Sequence, residues 1–391
     1  MKILIVPDKF KGALNARQVA ESIAKGLRDV LANADIEIMP MADGGEGTVE
    51  AICDARGGSW LQCEAHDPLG REIDARYGWI EDEKVAVMEM SEAAGMRRLA
   101  ESERNPVRAN TFGVGEMILD AARHGAREII LGLGGSATND GGFGMARALG
   151  FRFFSGQDEL SGAVTELQKL MRIVAPSPGA SRPPLPKGED RGEGESSSVV
   201  HPLSQTTIIA AVDVRNPLLG ENGATRVFGP QKGASENEID ILERALTRLA
   251  DVVTEEFGFD YRDEPGTGAA GGLGFGLMSF CGARIRPGFE VVAEAADLES
   301  KMTNVDLVVT GEGSLDGQTL EGKTPAGIAR LARKLGKPVF AVAGRTDGNR
   351  EVRELFDGVY VLGQPGMSEN EKMKRATELL REKAQELAKS L

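Results

Sequence analysis

The chain alternates between continuous apolar runs and stretches whose apolar residues recur at helical spacing. "KILIVP", residues 2–7, is apolar after its lysine, the mark of a strand covered on both faces. "NARQVAESIAKGLRDVL" follows with a helical period, and Asn15 stands where an N-cap belongs. "IEIMPM" predicts a second strand and "GTVEAICDAR" a second helix, the start of a doubly wound α/β unit. The pattern then changes: "WLQCEAHDPLGREIDARYGWIEDEKVAVMEM" reads as three strands joined at the turns "DPLG" and "EDEK". Helix "VGEMILDAARHG", strand "REIIL" and helix "FGMARAL" come next, then strand "TTIIAAV" and the amphipathic helix "IDILERALTRLADVVTEEFG". Alternation returns at the end with strand "VDLVVT", helix "PAGIARLARKLG", strands "PVFAVAG" and "GVYVLG", and a last amphipathic helix. The economical architecture is α/β with two domains: one parallel-sheet domain built from both chain ends, residues 1–60 and 288–391, and an α+β domain of residues 61–287 inserted between them. Residues 175–205, rich in Pro, Gly, Ser and charge, have almost nothing to bury and read as a disordered surface insertion.

Composition sets limits. The 391 residues carry a formal net charge of −14, which argues against a nucleic-acid or anionic-membrane partner. Cys53, Cys63 and Cys281 show no CxxC spacing and read as buried or idle thiols in a reducing compartment. The apolar N-terminus is too short for a secretory signal, and no run of about 18 apolar residues exists, so a cytoplasmic location is expected. His66, His124 and His201 lack the partners of Ser/His/Asp chemistry, and no metal–thiolate spacing is present.

Glycine-rich turns carry the chemistry. "LGLGGSATNDGG", residues 131–142, lies between a strand and a helix and holds Ser136, Thr138, Asn139 and Asp140 among its glycines. Its "GLGGSA" fits a dinucleotide fingerprint, with Asp158 and Glu159 roughly 20 residues on, where a ribose-binding acid would stand. The helix is expected only after "TNDGG", too late for the tight entry that such a fold uses, and the polar content exceeds what a pyrophosphate turn needs. "GTGAAG", residues 266–271, lacks a preceding strand and reads as a glycine-rich helix packed closely on a neighbour. "GQTLEGKT", residues 317–324, satisfies the P-loop pattern. With "VDLVVT" ending at Thr310, six residues including Glu312 separate strand from loop, and that gap argues against a P-loop. The acids there suit a Mg²⁺-associated turn followed by Lys323 at a helix start. "MADGGEGTVE", residues 41–50, repeats the arrangement, with Asp43 at a strand end and Glu46 in the loop.

The stretches "VPDKFKGALNA", "ADGGEGTVEA", "LGLGGSATNDGG", "VDVRNPLLGENGAT", "FGPQKGAS", "GTGAAGGLGFGL" and "VVTGEGSLDGQTLEGKTP" resemble, in order, the signature stretches of the class I bacterial glycerate kinases. The resemblance spans nearly the whole chain. It implies ATP- and Mg²⁺-dependent phosphoryl transfer to D-glycerate, giving 2-phosphoglycerate or 3-phosphoglycerate. It also implies a Rossmann- or flavodoxin-like domain, an inserted second domain and an active site in the cleft between them. The chain departs from the family pattern at Lys9, where Ser is usual, and at Arg215, where Thr is common. It also lacks the glycine-rich run expected within residues 155–205.

Phosphoryl transfer relies on positioning and charge neutralisation. The residue types then assign the work. Lys11, Lys232 and Lys323 can clamp phosphate oxygens. Asp43, Glu312 and Asp316 suit Mg²⁺. Asp213, at the end of strand "TTIIAAV", is the first candidate to accept the glycerate hydroxyl proton, with Asp8 and Asp316 as rivals. Arg215 or Lys11 can hold the glycerate carboxylate. Gly134, Gly135, Ser136, Thr138 and Asn139 would hold phosphate through backbone amides at a helix N-terminus and through their side chains. The expected partners are ATP and a small hydroxy acid, with the chain a monomer or homodimer. The competing readings are a nicotinamide-dependent oxidoreductase using "GLGGSA" and a non-catalytic nucleotide-binding protein.

Overall fold

The computed structural model describes residues 1–176, 202–321, 323–363 and 366–391. Most of the 175–205 insertion therefore lies outside the described residues. In chain order the strands are β1 (Lys2–Pro7), β2 (Asp35–Ile38), β3 (Ser59–His66), β4 (Glu72–Ile80), β5 (Val85–Glu89), β6 (Glu128–Gly132), β7 (Arg152–Ser155), β8 (Asp158–Glu159), β9 (Arg172–Val174), β10 (Thr207–Val212), β11 (Arg284–Pro287), β12 (Leu307–Leu315), β13 (Val339–Thr346) and β14 (Gly358–Val361). The chain forms two compact units, Met1–Gly57 with Pro287–Leu391, and Gly58–Arg286.

The first unit is built on a five-stranded sheet of order β14-β13-β12-β1-β2, parallel throughout. Ile3, Leu4, Ile5 and Val6 of β1 are all fully buried, as a central strand covered on both faces requires. The helix Ala16–Val30 starts at Asn15 in a capping box with Gln18. It buries Val19, Ile23 and Leu27 in a cluster shared with Leu379, Leu380 and Leu387 of the helix Ala376–Ser390. The chain leaves β1 through Ala16–Val30 toward β2 on one side. It leaves β12 through the helix Thr324–Lys334 toward β13 on the other. The connections diverge between β1 and β12, and an open α/β sheet places its ligand crevice at the carboxyl ends of such a pair.

The second unit carries a six-stranded sheet of order β11-β10-β6-β5-β4-β3. β3, β4 and β5 form an antiparallel meander, and β5, β6 and β10 run parallel. The loops that leave the carboxyl ends of β6 and β10 are "GLGGSATNDGG" and "DVRNP".

The strand bounds differ from the sequence reading in two informative places. β12 continues to Leu315, with Gly311 opposite Val342, Glu312 opposite Ala343 and Ser314 opposite Arg345. Gly-Glu-Gly-Ser has poor strand propensity, and pairing with β13 overrides it. The six-residue gap before Gly317 thereby shrinks to Asp316 alone, and the spacing no longer argues against a phosphate loop at 317–324. β2 ends earlier than expected, at Ile38. Met39 and Met41 still donate to Ile5 and Pro7, but Pro40 has no N–H for the ladder. The short antiparallel sheet β8-β7-β9 left no clear period in the sequence, because its strands span only two, four and three residues.

Candidate active site

Asp8 directly follows β1, and its amide donates to Gly311 of β12 at 2.8 Å, which puts it where the sheet connections diverge. It is 4% exposed. Oδ2 accepts the Thr324 hydroxyl at 2.8 Å and Oδ1 the Lys9 amide at 2.6 Å. Burial, and then the charge of Asp43, push its carboxyl from 3.8 up to about 7. Glu312, on β12, is likewise raised from 4.5 to about 8. Burial dominates there, opposed by Lys323 and reinforced by Asp8, Asp43 and Asp316. Lys323 Nζ lies 3.8 Å from Glu312 Oε1, while Oε2 is buried with no hydrogen-bond partner among the described residues. Asp316 accepts the Ser314 hydroxyl at 2.7 Å. Asp43 bends back on its own loop, accepting the Gly45 amide at 3.3 Å, and a Cβ at Gly288 would stand only 1.7 Å from the Asp43 carbonyl oxygen. Lys9 Nζ reaches the Glu46 carbonyl at 2.8 Å. Lys11 is exposed, and its amide nitrogen would lie 3.5 Å from a Cβ at Gly313 of β12.

The first unit thus gathers Asp8, Asp43, Glu312 and Asp316 closely enough for their charges to act on one another, with Lys323 at the start of a helix. Such an excess of carboxylate, with one buried oxygen lacking a partner, fits a hard divalent cation. Among the described residues no group of three or more His, Cys, Asp or Glu is arranged as a ready-made metal cage. Mg²⁺ needs none, because it takes one or two carboxylates and completes its shell with phosphate oxygens and water.

In the second unit, the loop after β6 is held from inside by Asp140. This fully buried carboxylate accepts the amides of Thr111, Gly142 and Gly144 at 2.8, 3.1 and 3.0 Å, and the Thr111 hydroxyl at 2.9 Å. Burial raises its carboxyl, and these hydrogen bonds oppose the rise. The following helix begins only at Phe143, as the reading of "TNDGG" expected. Its first amides are turned to Asp140, so a phosphate group does not find them open, contrary to the expectation of a helix N-terminus. The amides of Gly134, Gly135 and Ser136 donate to no backbone carbonyl among the described residues. Thr138 and Asn139 are fully buried. Asn139 Nδ2 donates to Thr225 Oγ1 at 2.9 Å, while Thr138 Oγ1 and Asn139 Oδ1 lack partners among the described residues. Lys232 is 2% exposed and donates from Nζ to the Thr138 carbonyl at 2.7 Å. Burial lowers its ammonium from 10.5 to about 7, against the pull of Asp140.

The segment 266–271, expected as a glycine-rich helix, packs closely on a neighbour but is not helical at its end. Ala270, Gly271 and Gly272 are all left-handed, Gly271 accepts the Gly141 amide at 3.0 Å, and a Cβ at Gly271 would sit 2.0 Å from the Thr138 carbonyl oxygen. Asp213 and Arg215 follow β10 and are exposed. Thr111 and Thr225 escaped the sequence reading. Each acts across a long separation in the chain; Thr225 closes the stretch "VDVRNPLLGENGAT", but nothing local marks its partner Asn139.

The profile of the glycerate kinase family matches residues 3–391. A glycerate kinase of Halalkalibacterium halodurans is 40% identical over 99% of this chain and 97% of its own length. The glycerate 2-kinase of Escherichia coli K12 is 40% identical over 94% and 89%. A crystal structure of a glycerate kinase 2 from Salmonella typhimurium LT2 superposes with a TM-score of 0.82 at 38% identity, covering 100% of this chain and 98% of that one. The mixed α/β fold is shared, and the chain belongs to the glycerate kinase family.

Proposed function

We propose that this protein transfers the γ-phosphoryl group of ATP to a hydroxyl of D-glycerate, with Mg²⁺, in the cytoplasm. The observation that carries the reading is the carboxylate cluster at the carboxyl ends of β1 and β12, set beside Lys323 in a chain of this family. Bound Mg²⁺ would neutralise phosphate charge, and Glu312, Asp43 and Asp316 are the carboxylates that would hold it. Lys323 offsets the charge of Glu312 and can take a phosphate oxygen. The amides of Gly134, Gly135 and Ser136 cradle phosphate in the second unit. The interior of that loop, Thr138 and Asn139, is kept in place by Thr225 and Lys232. Lys11 and Arg215, both exposed, are the cations left for the glycerate carboxylate.

The phosphoryl transfer asks for a group to receive the hydroxyl proton. Asp8 suits this better than Asp213. It is buried, fixed by Thr324 and the Lys9 amide, and raised toward neutrality, where a general base works best. Asp213 is exposed at the end of β10.

ADP release with D-glycerate, ATP and Mg²⁺ tests the reading. Asp8→Asn should lower kcat by about 100-fold or more, with the KM for ATP changed little. Asp213→Asn should retain kcat within about threefold. A collapse on Asp213→Asn alone would transfer the role to Asp213, and ADP release independent of glycerate would remove the kinase assignment.

A further inference from the structure

On the second unit an open cavity of about 350 Å³ is lined by Gln62, Asp74 and three arginines, Arg76, Arg97 and Arg98, gathered around Glu92. Glu92 is 8% exposed. Its Oε1 lies 2.6 Å from Arg97 Nη2 and 3.5 Å from Arg76 Nε, and its Oε2 accepts Arg98 Nη2 at 2.9 Å. Arg97 and Arg98 are also tied to the backbone, donating from Nε to the carbonyls of Ser91 at 3.1 Å and Glu92 at 2.6 Å. The Arg76 guanidinium lies 4.2 Å from the centre of the Trp60 ring.

A structural ion pair does not need this much charge. One buried carboxylate is satisfied by one or two cations, whereas three guanidiniums crowd here, two from adjacent residues. Counting Asp74 as well, three positive charges face two negative ones, an excess of one in a chain of net charge −14. Nη1 of Arg76, Arg97 and Arg98 donates no hydrogen bond among the described residues. Nε bonds and the Trp60 stack fix the guanidinium planes, so these donors are pre-oriented. A planar fork with free N–H groups matches the oxygens of a phosphate group.

We infer that this cavity binds a phosphate dianion, either inorganic phosphate or a small phosphate monoester, as an effector separate from the transferred group. The segment that carries the arginines is bonded to the glycine loop. Met96 donates to Gly135 and Ala137 to Ala94, both at 2.9 Å, and the Ser91 Cβ would lie 3.5 Å from a Cβ at Gly135. A phosphate that draws Arg97 and Arg98 together acts directly on the backbone of that loop. The binding claim does not depend on the phosphoryl-transfer reading.

Trp60 supplies the probe. The chain has two tryptophans, and in a Trp79→Phe background Trp60 alone reports on Arg76. Titration with inorganic phosphate, and separately with glycerol 3-phosphate, should change its emission saturably, with half-saturation below about 10 mM. The tighter of the two identifies the source of the phosphate. Arg97→Gln and Arg98→Gln should each weaken binding by about tenfold. If either variant is misfolded by circular dichroism, Arg76→Gln, whose side chain is half-exposed, is measured by calorimetry with the same expectation. Equal emission changes with potassium chloride at matched ionic strength, or unaltered binding in the arginine variants, would overturn the site.

Discussion

Lys232 sits in the turn Pro230–Lys232 with its ammonium sealed against the Thr138 carbonyl. From the sequence it reads as a phosphate clamp, because it lies in a turn-rich stretch and not on a solvated helix face. Burial was not legible, since its partner lies 94 residues away. Buried as it is, its ammonium is engaged in holding the glycine loop at Thr138. Its lowered value fixes a sign for stability. Between about pH 7 and 10.5 the unfolded lysine holds a proton that the folded one has released, so stability rises with pH across that window. Urea unfolding of the wild type should gain about 2 kcal/mol between pH 7 and pH 9 relative to Lys232→Met, which lacks the titrating group. Parallel pH dependences for the two proteins would show that the ammonium is not desolvated. Asp140 is a related case. The sequence displayed it in the loop, but its bonds to Thr111, 29 residues earlier, follow only from the packing of strand ends against helix starts.

At the scale of elements, two glycine-rich segments of the second unit interlock. The left-handed run Ala270–Gly272 presses on Thr138 and Asn139 and accepts the Gly141 amide. Gly271 has φ +69°, and a side chain there would meet the Thr138 carbonyl carbon at 2.8 Å and its oxygen closer still. Gly271→Ala should therefore cost at least about 2 kcal/mol and reduce turnover together with ATP affinity, measured by thermal unfolding and steady-state kinetics. A stable, fully active variant would mean that the loop does not depend on this contact. The long regular elements were legible because their periods are clear: β1 as an apolar run, the helix Ala16–Val30 with its Asn15 cap, the meander β3–β5 and the carboxyl-terminal alternation. What escaped is short or locally disfavoured. The extension of β12 through Gly311–Leu315 depends on pairing with β13, and β7 to β9 are too short to show alternation.

For the whole molecule, the acidic chain concentrates its functional charge locally. At the carboxyl ends of the central strands of the first sheet, burial and neighbouring carboxylates raise the proton affinity of Asp8 and Glu312, and among the described residues the loop after β6 leaves three backbone amides uncommitted to carbonyls. Both features suit a reaction in which highly charged phosphate must be bound and neutralised. Among the described residues no helix is long and apolar enough to cross a membrane. The candidate residues were legible as types and turns, but which of them are buried, and which carboxylates share a neighbourhood, depended on the order of strands in each sheet. The most direct measurement is transfer of phosphorus-32 from γ-labelled ATP to D-glycerate with Mg²⁺. The account predicts one labelled phosphoglycerate formed per ADP, its position read by phosphorus NMR. Label recovered only as inorganic phosphate, or retained in ATP while glycerate is present, would contradict it.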